Sequence, residues 1–262
     1  MNISNLNFMY EGKAKKLYEY ENDKTLIYYK DDVTANNGEM KDTLAGKGLV
    51  NKKLSVYFFK MLEEKGIKTH FVKDVDENSY IAEKVKIIPL EVIVRNYTAG
   101  SFCRRYGVEK GMKLEFPLVE FSLKDDDLGD PMISKDAALA IKLTDEKTIN
   151  HLKEQSLKVN QILTEYFSSK DITLVDYKLE FGIKDGEIFL ADEISPDTCR
   201  FWDAKTKESL DKDVYRESKG DLVNTYNSLL GRLGLWKNSV LKWKYHSKKA
   251  YWIPKEWQLK KF

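Results

Sequence analysis

A chain of 262 residues, 42% of them hydrophobic and 33% charged, has enough apolar surface to bury a sizeable core, which excludes a disordered protein; two lobes are expected. Its 44 basic and 42 acidic side chains nearly cancel, which excludes a surface built throughout to hold nucleic acid and makes any anion site local. The two cysteines, Cys103 and Cys199, stand in no CxxC or Cys/His cluster, which excludes a disulfide framework and points to the reduced cytosol.

In chain order, residues 1–10 carry no apolar signal region, and the greasiest stretch, 87–94, is short and interrupted by Pro89 and Glu91. Neither a signal peptide nor a membrane span is expected. Residues 9–20 read as a strand, a turn at Glu11-Gly12-Lys13 and a second strand, followed by a strand over 25–30, which makes the opening β-rich. Over 47–65, Val50, Leu54, Tyr57, Phe58, Met61 and Leu62 recur at helical spacing, and Gly66 stands where a C-cap is expected. Strands follow at 69–72 and 80–85, and Ile88-Pro89 then punctuates the chain, so the lobe boundary is expected near residue 86. The second lobe starts with a strand over 91–96, passes a charged loop at 125–131 and carries a long helix over 144–167. The inner face of that helix is Ile149, Leu152, Val159, Leu163 and Tyr166.

Residues 172–194 separate apolar from charged side chains more cleanly than a core strand needs. Thr173, Val175, Tyr177, Leu179 and Phe181 fall on one face and Asp176, Lys178 and Glu180 on the other. A three-residue loop, Lys184-Asp185-Gly186, pairs Ile183 with Glu187 and brings Asp192 opposite Lys178 and diagonal to Glu180. A two-residue Asp-Gly turn shifts the register by one and puts Asp192 among Tyr177, Leu179 and Phe181, where an unpaired carboxylate is expensive to bury. The three-residue loop is therefore expected. The resulting cation between carboxylates is either an exposed face with cross-strand ion pairs or part of a site.

Glu11-Gly12-Lys13-Ala14-Lys15 is a glycine turn with lysines. Glycine lets the backbone approach a polyphosphate, and the lysines supply the charge to hold it, although the sequence is not a Walker A motif and also suits a solvated hairpin tip. Glu180 and Asp192 complement it, because magnesium in ATP chemistry takes carboxylates plus phosphate and water oxygens. Arg95, Ala99-Gly100-Ser101, Arg104 and Arg105 run from a strand into a helix start, which makes either a pocket for a second phosphate or a helix cap beside surface arginines. Residues 192–200 form a long polar loop directly after a candidate metal ligand, a usual place for substrate contacts.

Six motifs then occur in one order. They are Tyr10-Glu11-Gly12-Lys13-Ala14-Lys15; Glu91-Val92-Ile93-Val94-Arg95-Asn96 with Ala99-Gly100-Ser101; Asp130-Pro131-Met132; Leu174-Val175-Asp176-Tyr177-Lys178-Leu179-Glu180-Phe181-Gly182; Asp192-Glu193-Ile194-Ser195-Pro196-Asp197; and Asp211-Lys212-Asp213 with Arg216. Together, over residues 8–234, they resemble the phosphoribosylaminoimidazole-succinocarboxamide synthase (SAICAR synthetase) family. The resemblance implies an α+β fold of SAICAR synthase type, related to ATP-grasp, with a small antiparallel β-rich N-terminal lobe (1–86), a larger α+β lobe (87–262) and an active-site cleft between them. It implies a cytoplasmic ligase of purine biosynthesis that joins carboxyaminoimidazole ribonucleotide to L-aspartate, with ATP as co-substrate and magnesium required. Gly12, Lys13, Ala14 and Lys15 then cover the phosphates, and the backbone near Ala82, Glu83 and Lys84 holds adenine. Glu180 and Asp192 bind magnesium, with Asp130 near the metal or the substrate carboxylate. Arg95, Ser101, Lys178, Arg200, Asp213 and Arg216 hold the ribonucleotide and aspartate, and Lys178, Asp130 and Arg200 are the candidate catalytic groups.

The chain departs from the family pattern after Gly231-Arg232-Leu233-Gly234, continuing through 235–262 with Trp236, Trp243, Trp252, Trp257 and eight lysines. Basic residues interleaved with aromatics can bind single-stranded nucleic acid, but the expected role is packing on the protein itself or on the partner subunit of a homodimer. Two rival readings are a small-molecule kinase, for which the aspartate-binding residues are idle, and a non-catalytic protein whose tail recognises nucleic acid.

Overall fold

The structure is a computed structural model that describes residues 3–21, 23–35, 40–235, 244–246 and 249–251. The strands expected at the start form as β1 (Phe8–Glu11), β2 (Lys15–Tyr20) and β3 (Lys24–Tyr29), followed by a separate hairpin of β4 (Asp32–Ala35) and β5 (Met40–Thr43). The glycine turn lies between β1 and β2, closed by the Gly12 N–H donating to the Lys15 carbonyl at 2.9 Å. Helix α1 (Lys47–Glu64) buries Val50, Leu54, Phe58, Phe59 and Leu62, and Gly66 follows its end with φ 83°, the left-handed C′ position at which glycine carries no Cβ penalty. Strands β6 (Phe71–Asp74) and β7 (Ser79–Glu83) complete a five-stranded antiparallel sheet in the order β1-β2-β3-β7-β6.

The second sheet begins with β8 (Lys86–Tyr97). Strand β8 runs straight through Ile88-Pro89, where the sequence suggests a break. Its register against the central strand β11 (Ile172–Lys184) shifts between the Glu180↔Glu91 and Gly182↔Ile87 pairs, so Pro89 falls in a bulge that needs no ladder donor. Helix α2 (Gly100–Tyr106), β9 (Lys113–Leu123), β10 (Met132–Ile133), α3 (Lys135–Ala140) and α4 (Glu146–Ser168) lie between β8 and β11, and β12 (Glu187–Ala191) and β13 (Cys199–Asp203) follow. The strand order is β10-β9-β8-β11-β12, with β13 also paired to β11. Helix α4 starts at Asp145, whose side chain accepts the Thr148 N–H at 2.8 Å as an N-cap should. It buries Ile149, Leu152, Val159, Leu163 and Phe167; Tyr166 is only partly buried and packs on Tyr57 and Phe58. Helices α5 (Asp213–Arg216) and α6 (Leu222–Arg232) follow, then the paired strands β14 (Lys244–His246) and β15 (Lys249–Tyr251). The tail's Trp236, Trp243, Trp252 and Trp257 lie outside the described residues.

The fold is α+β. One apolar cluster runs through both sheets, from Ile27, Phe59 and Tyr80 to Leu163, Leu179 and Phe201, and an isolated parallel bridge between Thr69 and Leu190 ties the first sheet's flank to the second.

The 172–194 hairpin differs from expectation in two ways. Lys184 pairs with Glu187 and Ile183 with Ile188, so the turn is the two-residue Asp185-Gly186 type, and Asp192 is not opposite Lys178. The feared burial of Asp192 on the apolar face is avoided because the backbone leaves the strand there: Asp192 has φ 59°. The second difference is a register shift against β13 between Leu174 and Asp176. Leu174 and Tyr177 consequently share the main core, while Val175 joins Ala99 and Trp202 in a smaller cluster.

Candidate active site

From Asp176 onward the alternation of β11 holds. Asp176, Lys178 and Glu180 line a cavity of about 600 Å³, in the range that accepts small molecules. The partner strand β8 sets Arg95 beside Asp176 and Glu91 beside Glu180, so the sheet itself fixes the order of charges along the floor.

One end of the cavity is built on lysines. Lys178 pairs with Glu91 and, at 3.0 Å, with Glu180, whose same oxygen accepts Lys124 at 2.9 Å. Lys15, from the glycine turn, pairs with Asp192 and lies 3.0 Å from Glu193. Burial favours the neutral amine of Lys15, but the Asp192 and Glu193 carboxylates outweigh it and raise its pKa above the ordinary lysine value. Lys178 behaves alike: burial opposes its charge, and Glu180, Asp192 and Glu91 restore it. Burial also disfavours the Asp192 carboxylate, yet Lys15 and Lys178 hold it below the usual range. These groups therefore keep one another ionised at neutral pH. His70, in the cavity wall, is pushed down to about 3 by burial first and the Lys15 charge second, so it is neutral.

The other end is built on arginines. Arg95 is 2% exposed; its Nε donates to Glu120 and its Nη1 to Asp176, each at 2.6 Å, and its Nη2 reaches Ser101 Oγ at 3.5 Å. Arg200 Nη1 lies 3.1 Å from both Asp176 oxygens and its Nε donates to Asp213 at 2.7 Å. Arg216 donates to the second Asp213 oxygen at 2.6 Å. Gly100, φ 55°, lies under Arg200: a Cβ there would come 2.5 Å from the guanidinium.

Of the residues singled out in the sequence, Gly12, Lys13, Ala14, Lys15, Glu83, Arg95, Ser101, Asp130, Lys178, Glu180, Asp192, Arg200 and Arg216 line this cavity. Ala82, Lys84 and Asp213 are not among its lining residues. The Glu83 and Lys84 N–H groups already donate to the His70 and Asp23 carbonyls, and Asp213 acts from behind the two arginines. Lys13 is a rim residue, paired at 2.6 Å with Asp126, both more than half exposed. Asp130 turns back on its own loop, accepting the Asp125 N–H at 3.0 Å. Among the described residues no group of three or more His, Cys, Asp or Glu side chains could hold a metal ion, so Glu180, Asp192 and Asp130 are not assembled as a three-carboxylate set. Sequence reasoning passed over Lys124, Glu120 and Asp126; Glu91, Asp176 and Glu193 sat inside the quoted motifs without a role.

A cavity in which cations paired with carboxylates line both ends suits anionic small molecules. A sequence model described as SAICAR synthetase matches residues 8–233. The phosphoribosylaminoimidazole-succinocarboxamide synthases of Coprothermobacter proteolyticus and Methanocaldococcus jannaschii are 50% and 49% identical, over 88% and 87% of this chain and 99% and 94% of theirs. A solved SAICAR synthetase (Type-2) in complex with ADP is 51% identical, covers 88% of this chain and 99% of its own, and superposes with a TM-score of 0.85. The Ehrlichia chaffeensis synthase structure, 39% identical over 88% of this chain and all of its own, superposes with a TM-score of 0.86. The chain belongs to the SAICAR synthetase family, and it is a ligase of purine biosynthesis. Among the described residues no helix is long and apolar enough to cross a membrane.

Proposed function

We propose that this chain joins carboxyaminoimidazole ribonucleotide to L-aspartate, using ATP and releasing SAICAR, ADP and phosphate, in the cytosol. The observation that carries the reading is one cavity whose lysine end gathers on Lys178 and Glu180 and whose arginine end gathers on Asp176, all three from strand β11. Lysines at a glycine turn suit a polyphosphate, and planar guanidinium forks suit a phosphate monoester and carboxylates. The ADP bound to a relative 51% identical supports ATP as the co-substrate.

In this reading the two sheets form two lobes, 1–86 and 87–262, with the cleft between them. Gly12 to Lys15 cover the phosphates, and Glu83, whose side chain ion-pairs with Lys184 at 2.6 Å, marks the adenine end with its neighbours Ala82 and Lys84. Arg95, Ser101, Arg200 and Arg216 hold the ribonucleotide phosphate and the aspartate carboxylates, with Asp213 aligning the arginines. The residues fit magnesium: Glu180 and Asp192 both act on Lys124 and Lys178, so a cation at that end meets two carboxylates, and magnesium completes its shell with phosphate and water oxygens. Bound there it supplies neutralisation of phosphate charge.

The chain's own residues then act by positioning and charge. Lys178, fixed between Glu91 and Glu180, faces the transferring phosphoryl group as an ammonium. The imidazole carboxylate takes the γ-phosphoryl group and ADP leaves; the aspartate amine attacks the activated acyl carbon, phosphate departs, and the amine sheds its proton. Asp130, on the cavity wall, stands near the metal or the substrate carboxylate, and Arg200 holds the ribonucleotide through both steps. The test is phosphate release from carboxyaminoimidazole ribonucleotide, ATP and magnesium, screened across amino acids. SAICAR and phosphate are expected with L-aspartate alone; sustained release without an amino acid identifies a kinase or ATPase and removes this reading.

A further inference from the structure

We infer that Tyr80 and His70 are positioning residues that hold the Asp192 carboxylate in the site. The inference rests on the proposed reading that Asp192 belongs to the nucleotide end. The Glu180↔Ala191 pair makes Leu179, a core residue 1% exposed, the next partner in line for Asp192. A continued strand therefore carries the carboxylate toward the core. The left-handed turn at Asp192 (φ 59°) prevents this, a conformation that aspartate adopts more readily than most residues with a Cβ and that its surroundings here hold in place.

Those surroundings are specific. The Tyr80 hydroxyl, from β7 of the first sheet, donates to the Asp192 carbonyl at 3.3 Å. The same oxygen lies 2.9 Å from His70 Nε2. With the phenol's one proton assigned to the Asp192 carbonyl, the imidazole is the donor, as the Nε2–H tautomer, an assignment made from the hydrogen-bond pattern. His70 is pinned in turn: its N–H donates to the Leu190 carbonyl at 2.9 Å and its carbonyl accepts the Glu83 N–H at 2.7 Å. The bracket thus grips the chain at Leu190, just before the turn, and at Asp192 itself. Tyr80 is fully buried and His70 is 3% exposed, and Tyr80 does not line the cavity. Its hydroxyl therefore reaches ligands indirectly, through Asp192 and through Lys15, whose charge it also meets.

The test is a double-mutant cycle read as ATP affinity, by calorimetry in the presence of magnesium, on the native chain, Tyr80→Phe, Asp192→Asn and the pair. Tyr80→Phe keeps the ring and is expected to weaken ATP about three- to tenfold, the worth of one hydrogen bond, with the KM for the ribonucleotide unchanged. In the Asp192→Asn background the same change is expected to have less than about a twofold effect, because residues that act through one another are not additive. An equal loss in both backgrounds, or normal affinity in Tyr80→Phe beside a weakened Asp192→Asn, overturns the bracket while sparing the site. Normal affinity in Asp192→Asn overturns the reading of the nucleotide end and the bracket with it. His70→Leu is expected to reproduce the Tyr80→Phe loss and His70→Gln, which keeps an N–H in reach of the phenol, to recover most of it; indistinguishable His70 variants also overturn the inference.

Discussion

The two ends of the cavity hold their cations differently. At the arginine end Arg95 is clamped by Glu120 and Asp176 and Arg200 by Asp176 and Asp213, so two planar forks are aimed before any ligand arrives. At the lysine end Lys15 and Lys178 are likewise each held by two carboxylates, and Lys124 meets Lys178 on one Glu180 oxygen, but each ammonium is a point charge rather than a fork. A point charge on a flexible stem can leave a carboxylate for a phosphate, and a carboxylate can exchange an ammonium for a metal ion. The arginine end is preorganised; the lysine end is built to change partners.

Asp192→Asn and Glu180→Gln strike the exchanging carboxylates, and turnover at limiting magnesium is expected to fall on the order of a hundredfold or more, as when a charge-stabilising group is lost. The circular dichroism spectrum should be unchanged; near-normal turnover in either variant removes that residue as a principal ligand. Arg95→Ala and Arg200→Ala come next, raising the KM for the ribonucleotide about ten- to a hundredfold with little change for ATP, the worth of a charge-assisted contact. Arg95→Lys should recover part of that loss only. If the alanine variants lose ATP affinity instead, the two ends have been read the wrong way round.

Gly100→Ala tests preorganisation without touching a charge. Its methyl meets an Arg200 guanidinium that Asp176 and Asp213 prevent from moving away, so a rise of about tenfold or less in ribonucleotide KM is expected. An unchanged KM shows that the clamp is looser than the distances indicate. The smallest effect is expected from Lys13→Ala, whose pair with Asp126 is solvated and is worth up to about 1 kcal/mol. Lys15→Ala should weaken ATP considerably more, because Lys15 is 12% exposed and Lys13 57%. Equal losses, measured by calorimetry, sink the distinction between rim and interior.

The sequence carried two helices well, since α1 and α4 announce themselves by apolar spacing, and α1 also by Gly66 at its end, while α3, α5 and α6 went unread. It carried the charged face of β11 for the same reason: period-two alternation is local. The 185–186 turn was not legible, because alternation is satisfied equally by either register and the deciding event, a left-handed turn at Asp192, leaves no mark in composition. Lys124 and Glu120 were invisible for another reason. Their partners Glu180 and Arg95 lie 56 and 25 residues away, and no local pattern encodes a long-range ion pair. Pro89 misled because proline punctuates a strand only where its missing donor is needed.

Because β11 joins β8 across the Arg95–Asp176 contact, 81 residues apart, and Lys15 waits for Asp192, 177 residues downstream, the site has a birth order. A ribosome must deliver β11 before Arg95, already within reach of Glu120, finds its second carboxylate, and β12 before the glycine turn finds its anchor. Closing such long loops is slow more than it is expensive. Ligand affinity should therefore be among the last properties a growing chain acquires, and nucleotide added during refolding should stabilise the finished fold by mass action without hastening its assembly.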